Sequence, residues 1–151
     1  MNLSFVVLEG SNIMKSLHTL ISITFSIVAL WLVIRSIRGI RMGTAYRALD
    51  KYLSYSFIIT LYLQLIFGLI LYANPSSAGE NKYTGIEDAL KLASKRFWPI
   101  EHIVLMLFAL MIANLGLIVS AQTNIDKEKH RKILIYYVVA LMMIIISLSA
   151  I

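Results

Sequence analysis

Four long apolar stretches follow one another along the chain, at residues 17–37, 53–73, 99–121 and 133–151, and polar segments separate them. Each stretch has about 20 residues, the length at which an α-helix crosses a hydrocarbon layer roughly 30 Å thick. Inside a bilayer the backbone polar groups have to be satisfied within helices. The pattern therefore predicts an all-α protein, an integral-membrane up-down four-helix bundle that forms a single transmembrane domain over residues 1–151.

The polar segments between the stretches differ in length and character. Residues 36–51 form a basic connection between the first two helices, while residues 74–97 form the one long loop. Within that loop Thr84 and Glu87 have the spacing of a capping box. Apolar residues then recur at helical spacing: Ile86, Leu90, Ala93 and Phe97. This predicts a short amphipathic surface helix between helices two and three, with Pro99 in the first turn of helix three.

The composition is that of a membrane protein, and it excludes cofactors and bonds that need cysteine. Hydrophobic residues make up 59% of the chain and charged residues 15%, far from the composition of a soluble domain. The absence of cysteine excludes disulfides, iron–sulfur clusters, thiolate-bound metals and covalently attached c-type haem. A net charge of +6 would suggest a nucleic-acid partner for a soluble protein, but here the charges flank apolar spans and no nucleic-acid partner is expected.

The start of the chain does not have the pattern of a cleaved signal peptide. No basic residue precedes Lys15, and the apolar run that follows it is as long as a membrane span.

Basic residues are concentrated in two connections on the same side of the predicted bundle. That side carries nine of them: Arg35, Arg38, Arg41, Arg47, Lys51, Lys127, Lys129, Arg131 and Lys132. The other side carries five, partly balanced by acids: Lys15, Lys82, Lys91, Lys95 and Arg96. The positive-inside rule then locates both termini outside the cytoplasm. Arg35 is expected to extend to the cytoplasmic headgroups, and His130 to be a solvated residue of the basic linker.

Two histidines, His18 and His102, stand one turn inside the start of the first and third apolar runs. Ionisable side chains are costly in a bilayer and therefore mark functional sites. In an up-down bundle helices one and three are diagonal partners that run in the same direction, so these imidazoles face each other at one depth. The pair predicts either one haem whose iron is bound by His18 and His102, or two interface residues that hydrogen-bond to neighbouring helices.

The helix faces that carry these histidines are lined mostly by small residues. At about 100° per residue, the predicted lining is Ser22, Phe25 and Ala29 on the first helix and Met106, Ala109, Ala113 and Gly116 on the third. Small side chains leave room for a flat macrocycle, with Phe25 and Met106 packed against its plane. The same stripe also suits close packing of membrane helices without a cofactor.

Charged residues near the histidines suggest how haem propionates would be bound. Arg96 is expected to bind either a propionate, because its planar guanidinium matches a carboxylate, or a lipid headgroup. Lys95 and Lys15 are further cations at the same end. Glu101 faces away from its neighbour His102 along the helix and is expected to pair with Lys95 or Arg96.

Other polar groups within the spans leave alternatives open. A quinone or metal site built from His18, Glu101 and His102 is one of them, since a carboxylate beside imidazoles suits proton-coupled chemistry or a divalent metal. Gln64 in helix two and Asn114 in helix three need partners in hydrocarbon. Both are expected to form interhelical hydrogen bonds.

Three sequence features together resemble a known family. They are Leu17 and His18 at the start of the first helix, Gln64 between leucines in the second, and the string RFWPIEH that ends at His102. From about Leu17 to its end, the chain resembles small bacterial four-helix membrane proteins labelled cytochrome b or cytochrome b561-like. The resemblance implies b-type haem and electron transfer in the bacterial inner membrane, with His18 and His102 as ligands. Better-known cytochrome b561 proteins have two haems and four ligating histidines, whereas this chain can supply ligands for one.

The sequence thus predicts an electron-transfer or accessory subunit rather than a stand-alone enzyme. Its expected partners are the lipid bilayer and other subunits of a respiratory membrane complex, with quinone as a further candidate. The alternative is a structural or assembly subunit of such a complex that binds no haem. In that case the histidines would hydrogen-bond to neighbouring helices.

Overall fold

The computed structural model describes residues 3–73 and 86–149, with the side chains of residues 12–71 and 100–148. This part of the chain forms four helices: α1 (Leu3–Met42), α2 (Ala48–Ala73), α3 (Ile86–Ala121) and α4 (Asp126–Ser149). Each contains a segment long and apolar enough to cross a membrane: Asn12–Met42, Ala48–Leu71, Ile100–Ala121 and Asp126–Leu148. The prediction of an all-α chain with four candidate membrane spans is confirmed for the described residues.

The helices pack in a ring. α1 contacts α2, α2 contacts α3, α3 contacts α4, and α4 returns to α1. α1 and α3 therefore occupy opposite corners and run in the same direction, as the up-down arrangement requires. Residues near the start of α1 and of the apolar part of α3 consequently lie at the same end of the bundle.

At the basic end the helices extend further than hydropathy predicts. The connection expected over residues 36–51 shortens to residues 43–47, because α1 continues to Met42 and α2 begins at Ala48. Gly43 has a φ of 63°, a left-handed backbone that ends a helix and that glycine adopts without a steric penalty. Charged residues lower the local hydropathy, yet long basic side chains are compatible with helix ends that project from the hydrocarbon.

The residues predicted as a separate surface helix are in part helical but not separate. α3 runs without interruption from Ile86 through Pro99 to Ala121. Thr84 and the rest of residues 74–85 lie outside the described residues, as do the side chains of α3 before Ile100.

Aromatic and small side chains share the core. The rings of Phe25, Phe57 and Tyr137 form a row through α1, α2 and α4, with centroid separations of 4.8 Å and 4.5 Å. Leucine and small residues pack around this row and are buried: Ala29, Leu61, Ala109, Ala113 and Ala140. The core is thus an apolar layer that crosses the middle of the bundle.

Two glycines bring α4 close to its neighbours. A Cβ at Gly39 of α1 would overlap the His130 ring, and a Cβ at Gly116 of α3 would overlap the side chain of Tyr136. Small residues at such contacts allow the backbones of membrane helices to approach. The predicted small-residue stripe on α3 is therefore buried against other helices. The outer surface carries large exposed aliphatic side chains, as contact with lipid requires.

Candidate functional site

His18 of α1 is half-buried, and one of its ring nitrogens has an unusual environment. Its Nδ1 atom is buried and has no hydrogen-bond partner among the described residues. Gly68 of α2 lies beside the ring, since a Cβ there would stand 3.7 Å from His18 Cε1. A buried polar atom without a partner costs about 1 to 3 kcal/mol. A ligand or a water molecule is therefore expected at this nitrogen.

A glutamine of α2 forms hydrogen bonds to α1 at His18 and Ser22. Gln64 is buried, and its Nε2 donates to Ser22 Oγ at 2.5 Å and to the His18 carbonyl oxygen at 3.3 Å. Ser22 Oγ donates to the same carbonyl at 2.9 Å. The predicted interhelical hydrogen bond of Gln64 is confirmed. That of Asn114 is wrong, because its Nδ2 donates to the Leu110 carbonyl oxygen of its own helix at 2.7 Å.

His102 of α3 is held by a serine of α4. Its Nδ1 lies 3.0 Å from Ser147 Oγ. The Ser147 hydroxyl donates to the Ile144 carbonyl oxygen at 2.7 Å, so its oxygen accepts the hydrogen bond from Nδ1–H of His102. This contact favours the tautomer of His102 that carries its lone pair on Nε2. Ser147 was not predicted as part of the site, and no sequence signal distinguishes it from other serines in the spans.

The two histidines belong to one polar layer at the same end of the bundle. They lie on diagonal helices and close enough for an electrostatic interaction between them. We call this set of residues the histidine layer: His18, Ser22, Gln64, His102 and Ser147. Among the side chains described, no three histidine, aspartate or glutamate residues come together as a metal site. The alternative of a metal site built from His18, Glu101 and His102 is therefore wrong, and Glu101 is exposed. A quinone site at these residues stays a prediction.

The other residues expected at a cofactor lie toward the bundle centre or outside the described side chains. Phe25, Met106 and Ala109 are buried and belong to the apolar layer next to the histidine layer, toward the bundle centre. The Arg96 and Lys95 side chains are among those the structure does not describe. Contact of these residues with haem stays a prediction.

His130 is not a solvated linker residue, so that prediction is wrong. It lies in α4 and is only 1% exposed. Its ring packs against Gly39 of α1 and stands edge-on to Tyr46, with a centroid separation of 5.0 Å. Both ring nitrogens are buried without a hydrogen-bond partner among the described residues. The prediction fails because α4 begins at Asp126 and its first turns direct this one side chain into the bundle.

Arg35 does not extend to the headgroups, which corrects a second expectation. Its guanidinium binds the buried carboxylate of Asp50 on α2, with Nε donating to Oδ1 and Nη2 donating to Oδ2 at 3.1 Å. Asp50 also accepts the backbone N–H of Arg47 at 2.8 Å, at the start of α2. An unpaired carboxylate would be costly at this depth, so pairing with Arg35 outweighs solvation of the arginine.

Asp50 is part of a second polar layer, at the basic end. Its carbonyl oxygen accepts from Ser54 Oγ at 2.9 Å, and the Ser54 carbonyl accepts from the Tyr137 hydroxyl at 3.2 Å. The Tyr46 hydroxyl lies 3.3 Å from Ser54 Oγ. Burial raises the pKa of Tyr46 above its ordinary value of 10.0, so this phenol is neutral at physiological pH. The network joins α1, α2 and α4 below the connection at residues 43–47.

No family model, no curated protein and no solved structure matches this chain. The resemblance to small bacterial proteins labelled cytochrome b therefore stays a prediction from the sequence features given above. Function has to be argued from the two polar layers, and the histidine layer is the one with donor atoms suited to a cofactor.

Proposed function

We propose that the chain is a small b-type cytochrome or cytochrome-like subunit that carries one haem between His18 and His102. The observation that carries this proposal is the buried, unpartnered Nδ1 of His18 in the same layer as His102. Such an atom is costly in a protein interior. A group bound beside this imidazole would supply the missing partner, and a haem held by the same ring would bring such a group into the layer.

His102 has the second feature expected of a haem ligand. In metal sites one ring nitrogen of histidine binds the metal, while the other donates a hydrogen bond that fixes the tautomer and the ring orientation. Ser147 takes this role at His102 Nδ1. In this tautomer the lone pair of the ring is on Nε2, the atom through which His102 would bind iron.

The residues around the histidines fit the needs of such a group. Haem b supplies reversible one-electron chemistry when two imidazoles bind its iron. Gln64 and Ser22 hold the backbone at His18 in place through hydrogen bonds to its carbonyl oxygen. Phe25 and Met106 exclude water from the side that faces the bundle centre. Arg96 would bind a propionate through its planar guanidinium.

We further propose a location in the bacterial inner membrane with the basic end in the cytoplasm. Nine basic residues at that end oppose translocation, so both termini lie on the other side. The histidine layer is then near the outer face of the membrane. Electrons would pass there to or from quinone or another subunit of a respiratory complex.

The absorption spectrum of the purified, dithionite-reduced protein tests the function. Protein from a haem-replete host should show a Soret band and a sharp α-band. His18→Ala and His102→Ala should each abolish the sharp α-band, because iron loses an axial ligand, and should leave membrane insertion intact. His130→Phe is the matched control, since it removes the third imidazole and keeps a flat ring between Gly39 and Tyr46. Its spectrum should be unchanged.

Absence of a Soret band in the unmutated protein, or a spectrum that survives both alanine substitutions, would overturn the proposal. Either result would favour the second candidate, a haem-free structural or assembly subunit. That candidate is supported by the hydrogen bonds of the histidine layer, which join α1 to α2 through Gln64 and α3 to α4 through Ser147. These bonds stabilise the bundle without a cofactor.

A further inference from the structure

The charges of the chain are distributed unequally between the two ends of the bundle. Residues 35–51 and 126–132 together carry nine basic and three acidic residues, so their net charge equals the +6 of the whole chain. The rest of the chain has five of each sign and is neutral. We call the exposed cations of the charged end the basic collar: Arg38, Arg41, Arg47, Lys51, Lys127 and Arg131.

The protein does not neutralise the basic collar from within. Among the described residues, Arg131 of the collar forms an ion pair with Glu128 at 2.9 Å. Asp50 forms its ion pair with Arg35, which is not in the collar. The side chains of four collar residues form no ion pair or hydrogen bond within that part of the chain: Arg38, Arg41, Arg47 and Lys127. Like charges held at one end of a narrow bundle repel one another within a Debye length of about 8 to 10 Å. The exposed cations are therefore available to an external anion.

Tyrosines indicate the height of the collar relative to a bilayer. Tyr52 and Tyr55 are 69% and 42% exposed on the first turns of α2, and Lys51 Nζ lies 6.0 Å from the centroid of the Tyr55 ring. Lys129 Nζ lies 5.8 Å from the centroid of the Tyr46 ring. Tyrosine rings beside lysine and arginine are typical of the boundary between hydrocarbon and water. Lipid phosphates are concentrated at this boundary, whereas soluble anions are not.

We propose that the basic collar binds the headgroups of anionic phospholipids and so gathers anionic lipid around one end of the bundle. Arg38 and Arg41 stand three residues apart in the last turns of α1. Arg47 immediately precedes α2 and stands four residues before Lys51, and its carbonyl oxygen accepts the backbone N–H of Lys51 at 3.3 Å, as in a helical turn. Residues at these spacings lie on one side of a helix. Each pair can therefore approach one phosphate from the same side, and the guanidinium groups can bind it in bidentate fashion.

Spin-labelled lipids test this proposal on the full chain in phosphatidylcholine vesicles. Electron paramagnetic resonance measures the fraction of spin-labelled phosphatidylglycerol, and separately of spin-labelled phosphatidylcholine, that is immobilised at the protein surface. Phosphatidylglycerol should be enriched, and the enrichment should fall as sodium chloride is added because salt screens exposed charges. Lys51→Gln should lower the enrichment by up to about fivefold, the effect of one surface cation. Arg38→Gln with Arg41→Gln should lower it further.

Lys15→Gln is the matched control, because Lys15 is exposed at the neutral end of the bundle. It should leave the enrichment unchanged, and circular dichroism should show the same helix content in every variant. Equal immobilisation of the two lipids, or an enrichment unaltered in the collar variants, would overturn the proposal. So would displacement of phosphatidylglycerol by inorganic phosphate beyond that caused by chloride at equal ionic strength, since this indicates a phosphate site rather than a lipid surface.

Discussion

His130 packs against two segments that lie far before it in the sequence. Gly39 of α1 leaves space for its ring, and Tyr46 covers it from the connection at residues 43–47. Neither ring nitrogen has a hydrogen-bond partner in the part of the chain that the structure describes. Within that part of the chain the ring therefore contributes packing contacts, which offset the cost of two buried ring nitrogens without partners.

Replacement of His130 should be far more costly than replacement of its neighbour. His130→Ala leaves a cavity between α1 and α4 and should lower the free energy of unfolding by about 2 to 4 kcal/mol. Arg131→Ala removes only an exposed side chain and its surface ion pair with Glu128, a loss of about 0.5 kcal/mol. Denaturant unfolding of the two variants in detergent measures both. Equal losses would show that His130 is not buried.

Close approach of α4 to α1 and α3 depends on one glycine in each partner helix. The helices would have to separate to accept a Cβ at Gly39 or Gly116, because the facing side chains of His130 and Tyr136 already occupy that space. Gly68 is different, since a Cβ there would make only ordinary contact with the His18 ring. The same substitution is therefore expected to have opposite effects in different helices.

Alanine substitutions at two glycines measure this difference. Gly116→Ala should lower the free energy of unfolding by about 1 to 3 kcal/mol through overpacking against Tyr136. Gly68→Ala should raise it by up to about 1 kcal/mol, because alanine favours the helix more than glycine does. Denaturant titration in one detergent compares the two. A stable Gly116→Ala variant would mean that this face of α3 does not touch α4.

The helices themselves could be predicted from the sequence, but most side-chain contacts between them could not. Long apolar runs allow only helices in a bilayer, and a buried Gln64 has to find a partner, so both predictions are confirmed. At the basic side the end of α1 and the starts of α2 and α4 were predicted too short, although an acidic residue such as Asp50 is favoured in the first turn of a helix. The contact between Tyr137 and Ser54 joins residues 83 positions apart and depends on how α2 and α4 pack. No local pattern encodes that packing.

As a whole, the molecule has a histidine layer near one end and a charged polar layer at the other. The charged end is the one with short connections, at residues 43–47 and 122–125. Translocation of this end would require many cations to cross the hydrocarbon. We therefore expect residues 43–47 and 122–125 in the cytoplasm.

Single cysteines test this orientation without background, because the chain has no native cysteine. Thr44 and Asn12 are both exposed, and they lie at opposite ends of the candidate membrane span Asn12–Met42. An impermeant maleimide added to intact spheroplasts should label a cysteine at position 12 and spare one at position 44. Permeabilised cells provide the control, in which both positions should react. The reverse pattern in intact cells would show that the basic end faces outward.

The apolar layer around Phe57 and Leu61 has an electrical consequence. In the described part of the bundle it separates the two polar layers, and a proton or ion that entered it would lose its hydration. An elementary charge that crossed the whole membrane would do work of about 2.3 kcal/mol per 100 mV. Charge that reaches the histidine layer is instead expected to leave by the face through which it came. Proton exchange at that layer would then take place at one face of the bilayer and be insensitive to the membrane potential.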